Sequence, residues 1–225
     1  MNTDKFTGKA QAYAKARPGY PDETIEYIRE LVPPDAVFAD IGAGTGKFTE
    51  LLARYGYKIF AVEPNEDMRK QLAVTLSSYP NAKIIDGSAE NTTLPDRSVD
   101  VIACAQALNY FDINTYRMEC RRIGKPGSVA IVLYNSIPGI GNPENYKRST
   151  ALFYSNPTVW EFPNPIFYTR ENWLAFMLSH AGVPVLSDSH YEGYIKEMNG
   201  VFERENVDGL LRRDAVTKVY SERMD

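Results

Sequence analysis

Along the first 135 residues, short apolar runs alternate with amphipathic stretches. Residues 36–41 (AVFADI), 57–62 (YKIFAV), 82–85, 99–105 (VDVIACA) and 128–134 (SVAIVLY) are rich in Val, Ile and Ala and bounded by Gly, Pro or Asn. That pattern predicts buried strands. The stretches between them carry helical spacing. A short helix is expected over 5–16, stopped by Arg17-Pro18-Gly19-Tyr20-Pro21, and a second from Asp22, as N-cap, to about Leu31, with Ile25 and Ile28 on one face. Pro33-Pro34 ends it. Further helices run from a glycine loop to about Arg54, closed by Gly56, from Asn65 as cap to about Leu76, and over 114–123. Lys125-Pro126-Gly127 reads as a turn. Strands alternating with helices imply a parallel sheet covered on both faces, wound by right-handed crossovers.

After Tyr134 the pattern changes. Residues 135–168 contain three Asn-Pro pairs and many aromatic residues, including Tyr146, Phe153, Tyr154, Trp160, Phe162, Phe167 and Tyr168. They read as an aromatic, partly helical insertion lying over the ligand site. Thr169 can cap a helix to about Ala181, 183–187 reads as strand six, 191–204 as helical and 215–220 as a last strand. The expected fold is α/β: a doubly wound, mostly parallel seven-stranded sheet in one domain over 1–225. Residues 1–32 form an N-terminal helical lid, and 135–182 a cap insertion.

Composition narrows the function. The chain has 225 residues, 44% hydrophobic and 24% charged, with a formal net charge of −4. No basic surplus points to nucleic acid or an anionic membrane. The N-terminus lacks the apolar core of a signal peptide, and no run reaches the length of a membrane span. Cys104 and Cys120 belong to no paired Cys-x-x-Cys motif, so the expectation is a reduced, cytoplasmic protein without a zinc site. No acidic cluster or His pair commits to any metal.

The segment ADIGAGTGKFTELL places Gly42, Gly44 and Gly46 at every second position after the first strand. A dinucleotide fingerprint would put its third glycine at 47, where Lys47 stands. A P-loop would need a glycine at 41 and a hydroxyl at 48, where Ile41 and Phe48 stand. Both phosphate readings fail on spacing. Asp40 precedes the loop; a carboxylate there repels phosphate and welcomes a cation. Glu63 follows the second strand, where a carboxylate can accept both hydroxyls of a ribose. A nucleoside with a positive group and no phosphate fits this pair, and S-adenosylmethionine is one. Gly42 and Gly44, lacking a Cβ, let the backbone approach it.

Taken in order, these segments resemble the class I S-adenosylmethionine-dependent methyltransferases, in particular their type 11 small-molecule group. FADIGAGTGKFTELL is similar to the first motif of that family, which implies that Asp40, Gly42, Ala43 and Gly44 reach the methionine end of the cofactor. IFAVEPNEDM resembles the second, with Glu63 on the ribose and Pro64 packed on adenine. DGSAENTTLPDRSVDVI resembles the third. There Ser88 stands where the family usually has Asp, and Ala89 would offer its backbone N–H to the ring. ACAQALNYFD is similar to the segment after strand four and implies Gln106 near the methionine end. Many relatives carry His-Trp where this chain has Asn109-Tyr110. AYAKARPGYP is similar to an N-terminal element that closes over the cofactor, with Tyr13 and Arg17 as its residues.

Methyl transfer needs alignment and water exclusion more than acid–base chemistry, because the sulfonium is already activated. A general base is required only for a protonated nucleophile. His190, after strand six, and Tyr110 are the catalytic candidates. Asp112 is a helix N-cap that could also touch substrate. His180 lies at a helix C-terminus, where an imidazolium suits the dipole. The aromatic residues of 146–173 suggest a flat or apolar small-molecule acceptor. Two other readings stay open: a non-catalytic S-adenosylmethionine-binding sensor or partner subunit, and an NAD-type oxidoreductase, against which Lys47 argues.

Overall fold

The computed structural model describes residues 16–224 apart from 142 and 181. Seven strands form one sheet: β1 (Val37–Ile41), β2 (Lys58–Val62), β3 (Ala82–Ile85), β4 (Val99–Ala105), β5 (Gly124–Ser136), β6 (Thr158–Tyr168) and β7 (Leu211–Arg223). Their spatial order is β3-β2-β1-β4-β5-β7-β6. The pairs from β3 through to β5 are parallel, whereas β7 runs antiparallel to both β5 and β6. The described α-helices are α1 (Asp22–Leu31), α2 (Lys47–Arg54), α3 (Glu66–Thr75), α4 (Ile113–Ile123), α5 (Pro143–Phe153), α6 (Arg170–Leu178) and α7 (Tyr191–Glu205). The chain order reverses between β1 and β4, so the loops after these two strands face each other across a crevice. None of the described helices is long and apolar enough to cross a membrane.

Both faces of the central strands are covered, which is why β1, β2 and β4 are mostly apolar and buried. On one face Phe38, Ile59 and Ile131 pack with Ile25 and Ile28 of α1 and Leu52 of α2. On the other, Ile41, Ile102 and Cys104 pack with Tyr116 and Cys120 of α4 and Phe153 of α5. Both cysteines are buried and reduced. Asn65 caps α3 by accepting from Met68 N, and Asp112 caps α4 by accepting from Thr115 N, both as the sequence predicts. Asp22, by contrast, is the first residue of α1 rather than its cap; Pro21 takes that place with no side-chain bond.

The C-terminal third departs further from expectation. Thr158–Tyr168 is not part of a cap but the edge strand β6, paired along its length with β7. Pro163 and Pro165 are tolerated there because one side of an edge strand needs no partner. Residues 183–187 form no strand, and Val185 and Leu186 are exposed. Trp160 and Phe162 stack on Tyr27 of α1 instead of roofing the site. Lys125-Pro126-Gly127 belongs to β5 as a bulge: the ladder steps from Val99↔Gly124 to Val101↔Val129. Lys125 Nζ is held there by both oxygens of Asp100, at 2.9 and 2.8 Å.

Candidate functional site

The glycine loop turns the chain from β1 into α2. Gly42, Gly44 and Gly46 all have positive φ, at 72°, 56° and 90°, a backbone that favours glycine. Their missing side chains serve different ends. A Cβ on Gly42 would lie 2.8 Å from Ala107 Cβ, and one on Gly46 2.6 Å from Leu72 Cδ1, so both positions are closed by the protein itself. A Cβ on Gly44 would meet nothing nearer than the Gly42 carbonyl oxygen at 4.0 Å. The open approach expected at both Gly42 and Gly44 therefore exists at Gly44, while Gly42 is glycine for packing.

Four amides of this loop are already occupied. Gly42 N and Ala43 N donate to Val62 O at 2.9 and 3.0 Å, and Gly46 N donates to Ala43 O at 2.9 Å. Gly44 N donates to Glu63 Oε2 at 2.9 Å. A phosphate loop offers such amides to its ligand; this one has given them to a carbonyl and a carboxylate.

Asp40 is 1% exposed. Its Oδ2 accepts from Thr49 Oγ1 at 2.5 Å, and its Oδ1 has no hydrogen-bond partner. Burial raises its pKa to about 7, against the opposing bond from Thr49. Glu63, just beyond β2, is also buried; its Oε1 accepts from Asn65 N at 2.9 Å. Burial pushes its pKa up, and the two backbone N–H bonds oppose that rise. Arg69 braces this corner by donating to the Glu63 and Pro64 carbonyl oxygens at 2.9 and 2.7 Å.

Beside the loop, at the carboxyl ends of β1, β4 and β5, lies a cavity of about 270 Å³. Gly42, Ala43, Gly44, Gln106, Tyr110 and Arg17 all line it. Gln106 holds a left-handed backbone, φ 62°, which is uncommon for its type and suits a functional position. Its amide N–H donates to Leu133 O at 2.9 Å, and its side-chain oxygen accepts from Tyr146 at 3.3 Å. Arg17 donates to Ser179 O at 3.2 Å, lies 3.5 Å from His180 Nε2 and sits over the Phe176 ring.

His180 also lines the cavity, and its state differs from the sequence expectation. Burial, with the Arg17 cation beside it, pushes its pKa down to about 4, so the ring is neutral rather than an imidazolium. Lys47, Asn109, Asn135 and Asn145 are further lining residues that the sequence reading left without a role. Lys47 was weighed there only as a break in a glycine pattern. The signal that could have placed it is its position one residue after Gly46, on the first turn of a helix aimed at the crevice.

Other expected residues lie apart. Asp40, Glu63, Pro64, Ser88 and Ala89 do not line the cavity, although Glu63 is tied to it through Gly44. Ser88 Oγ accepts from Asn91 N at 3.2 Å within its own turn, and Ala89 is buried. His190 follows a loop, not a strand; its side chain is 86% exposed, binds Asp188 at 3.0 Å and stands outside the cavity lining. Tyr13 and the helix expected over 5–16 fall outside the described residues, apart from Ala16. Of the aromatic residues in 146–173, only Tyr146 lines the cavity. Among the described residues no group of three or more His, Cys, Asp or Glu could hold a metal ion.

Comparison with known proteins agrees with this geometry. A family model described as a methyltransferase domain matches residues 39–132, from β1 to β5. An uncharacterized methyltransferase of Mycobacterium bovis is 35% identical over 131 residues, 58% of this chain and 52% of that protein, so the match spans about half of the relative's length. An uncharacterized methyltransferase of Schizosaccharomyces pombe is 32% identical over 179 residues, covering 72% of this chain and 70% of that one. Among solved structures, a SAM dependent methyltransferase of Aquifex aeolicus shares the fold with a TM-score of 0.56 and 15% identity, covering 96% of this chain and 98% of that one. With the sheet order, the loop after β1 and these relatives in agreement, the chain belongs to the methyltransferase-domain family.

Proposed function

We propose that this protein uses S-adenosylmethionine to methylate a small-molecule acceptor. The observation that carries the reading is the spent glycine loop, whose amides at 42, 43, 44 and 46 already bond to Val62, Glu63 and Ala43. With those donors taken and two buried carboxylates alongside, the site disfavours pyrophosphate and suits a cationic nucleoside. The donor set fits the group. The Asp40 Oδ1 is a buried acceptor in want of a donor. Each Glu63 oxygen accepts one backbone N–H and keeps capacity for a ribose hydroxyl. Gly44 has open space over its Cα.

On this reading Glu63 holds the ribose, Pro64, Ser88 and Ala89 enclose the adenine, and Arg17, Gln106 and Tyr110 surround the methionine end. S-adenosylmethionine supplies a methyl group already activated by positive sulfur. The chain's own work is to orient the acceptor and exclude water, and well-aligned reactants save about 7–11 kcal/mol. The buried reduced cysteines suit a reducing, cytoplasmic setting.

A thermal-shift and calorimetry panel tests it. S-adenosylmethionine and its demethylated product should stabilise the protein, and NADH and ATP should not. A shift with NADH and none with S-adenosylmethionine overturns the reading. Binding without methyl transfer across a broad acceptor panel would favour a sensor.

A further inference from the structure

We infer that the methyl acceptor carries a carboxylate and that the Lys47 ammonium holds it. This rests on the methyl-transfer reading and names the chemistry of the second substrate. Among the described residues lining the cavity there are two cationic side chains, Arg17 and Lys47, and no Asp or Glu. Arg17 is engaged with Ser179 and His180. Among the described residues Lys47 makes no ion pair or hydrogen bond. Glu50, the acid closest in sequence, bonds to Arg54 at 2.8 Å and reaches Lys47 only through its charge.

A second group at the same place points the same way. Thr45 is 3% exposed, lines the cavity, and its hydroxyl has no partner. Thr45 and Lys47 bracket Gly46, the N-cap of α2, which supplies no side-chain cap. An unsatisfied ammonium, an unsatisfied buried hydroxyl and an uncapped helix start each gain from an anion.

Charge balance adds to the case for a carboxylate on the acceptor. The α-amino and α-carboxylate groups of S-adenosylmethionine offset each other, leaving its sulfonium. That cation would share the cavity with Arg17 and Lys47, and no Asp or Glu is among its described lining residues. Asp40 lies behind the loop rather than on the cavity wall, and on the parent reading it serves the cofactor's amino group, so it is not open to the acceptor. A neutral acceptor would leave a surplus of positive charge in a partly buried space, whereas a carboxylate offsets it. Burial pushes the Lys47 pKa down, and the charge of Glu50 opposes that fall only in part. The rest of the wall is mixed: Gln106 and Asn145 stand beside Phe48, Ile137, Ile140 and Phe176, which leaves room for an apolar body behind the carboxylate.

The test uses the full chain with S-adenosylhomocysteine bound. Benzoate, cinnamate, hexanoate and fumarate, each beside its primary amide, are titrated by thermal shift and calorimetry, then assayed for transfer of a labelled methyl group. At least one acid should bind at least tenfold more tightly than its amide. Lys47→Met should weaken that acid tenfold or more while S-adenosylmethionine affinity stays within twofold. Lys47→Arg, which keeps the charge and controls for folding, should retain most acid binding. Equal binding of acids and amides, or no acid binding at all, overturns the inference. So does a Lys47→Met variant that loses S-adenosylmethionine as strongly as the acid, since Lys47 would then belong to the cofactor. Failure of the wild-type chain to bind S-adenosylmethionine would overturn the parent reading as well, and it is seen before any acid is added.

Discussion

The two halves of the sheet are built on different terms. From β3 to β5 the strands are parallel, and β1, β2 and β4 are buried over most of their length. On the other side of β5 the strands turn antiparallel, and β6 shows most of its residues to solvent. The first half holds the glycine loop and both carboxylates. The second adds Phe176 and His180 to the cavity wall. The contrast teaches that the glycine-loop side of the cavity stands on strands covered on both faces, while the opposite wall is assembled from elements with freer surfaces.

Truncating a large aromatic side chain in each half sharpens this comparison most. Phe38→Ala, in the centre of β1 at 0% exposure, should cost about 3–5 kcal/mol. Trp160→Ala, on β6 at 51% exposure, should cost under about 1 kcal/mol. Urea unfolding measures both, and equal losses would break the contrast. Next in size is Gly42→Ala. Its φ of 72° and the 2.8 Å approach to Ala107 should destabilise by about 1–3 kcal/mol. Gly44→Ala, with open space above it, should cost less stability but more cofactor affinity; the reverse order would show that the loop does not face the ligand as argued.

A similar magnitude is expected at the ribose carboxylate. Glu63→Ala should weaken S-adenosylmethionine by about 1–3 kcal/mol in calorimetry, the scale of a lost charged hydrogen bond. Unchanged affinity would remove Glu63 from the site.

The pH dependence should be the smallest effect. Burial raises the folded pKa of Asp40 to about 7, above its ordinary 3.8. Its contribution to stability is therefore full below the ordinary value and is lost as pH rises toward 7. Cofactor binding should run the other way, because only the ionised carboxylate attracts the amino group. Affinity should rise between pH 6 and 8, by at most roughly tenfold per unit below 7, with proton release visible in buffers of different ionisation enthalpy. A flat profile in the wild type, or the same profile in Asp40→Asn, would detach Asp40 from the cofactor.

Much of the first half was legible because its signals are local. An apolar run buried on both faces reads as a strand without knowledge of its neighbours, and Asn65 and Asp112 cap helices through bonds three residues away. The β6 strand was not legible, because its prolines and alternating exposure look like a loop until β7 arrives from over 40 residues downstream to pair with it. His190 seemed well placed only while 183–187 was read as a strand beneath it.

The sequence alone therefore determined the strand–helix alternation, the glycine turn and the two carboxylates at its flank, since each depends on steric rules within a few residues. Tertiary structure decided which glycine opens on free space, that four loop amides are spent on Val62, Ala43 and Glu63, that His180 is neutral, and that Lys47 lines the cavity without an ion pair among the described residues. Those properties are set by groups far apart in the chain, through burial and long-range pairing.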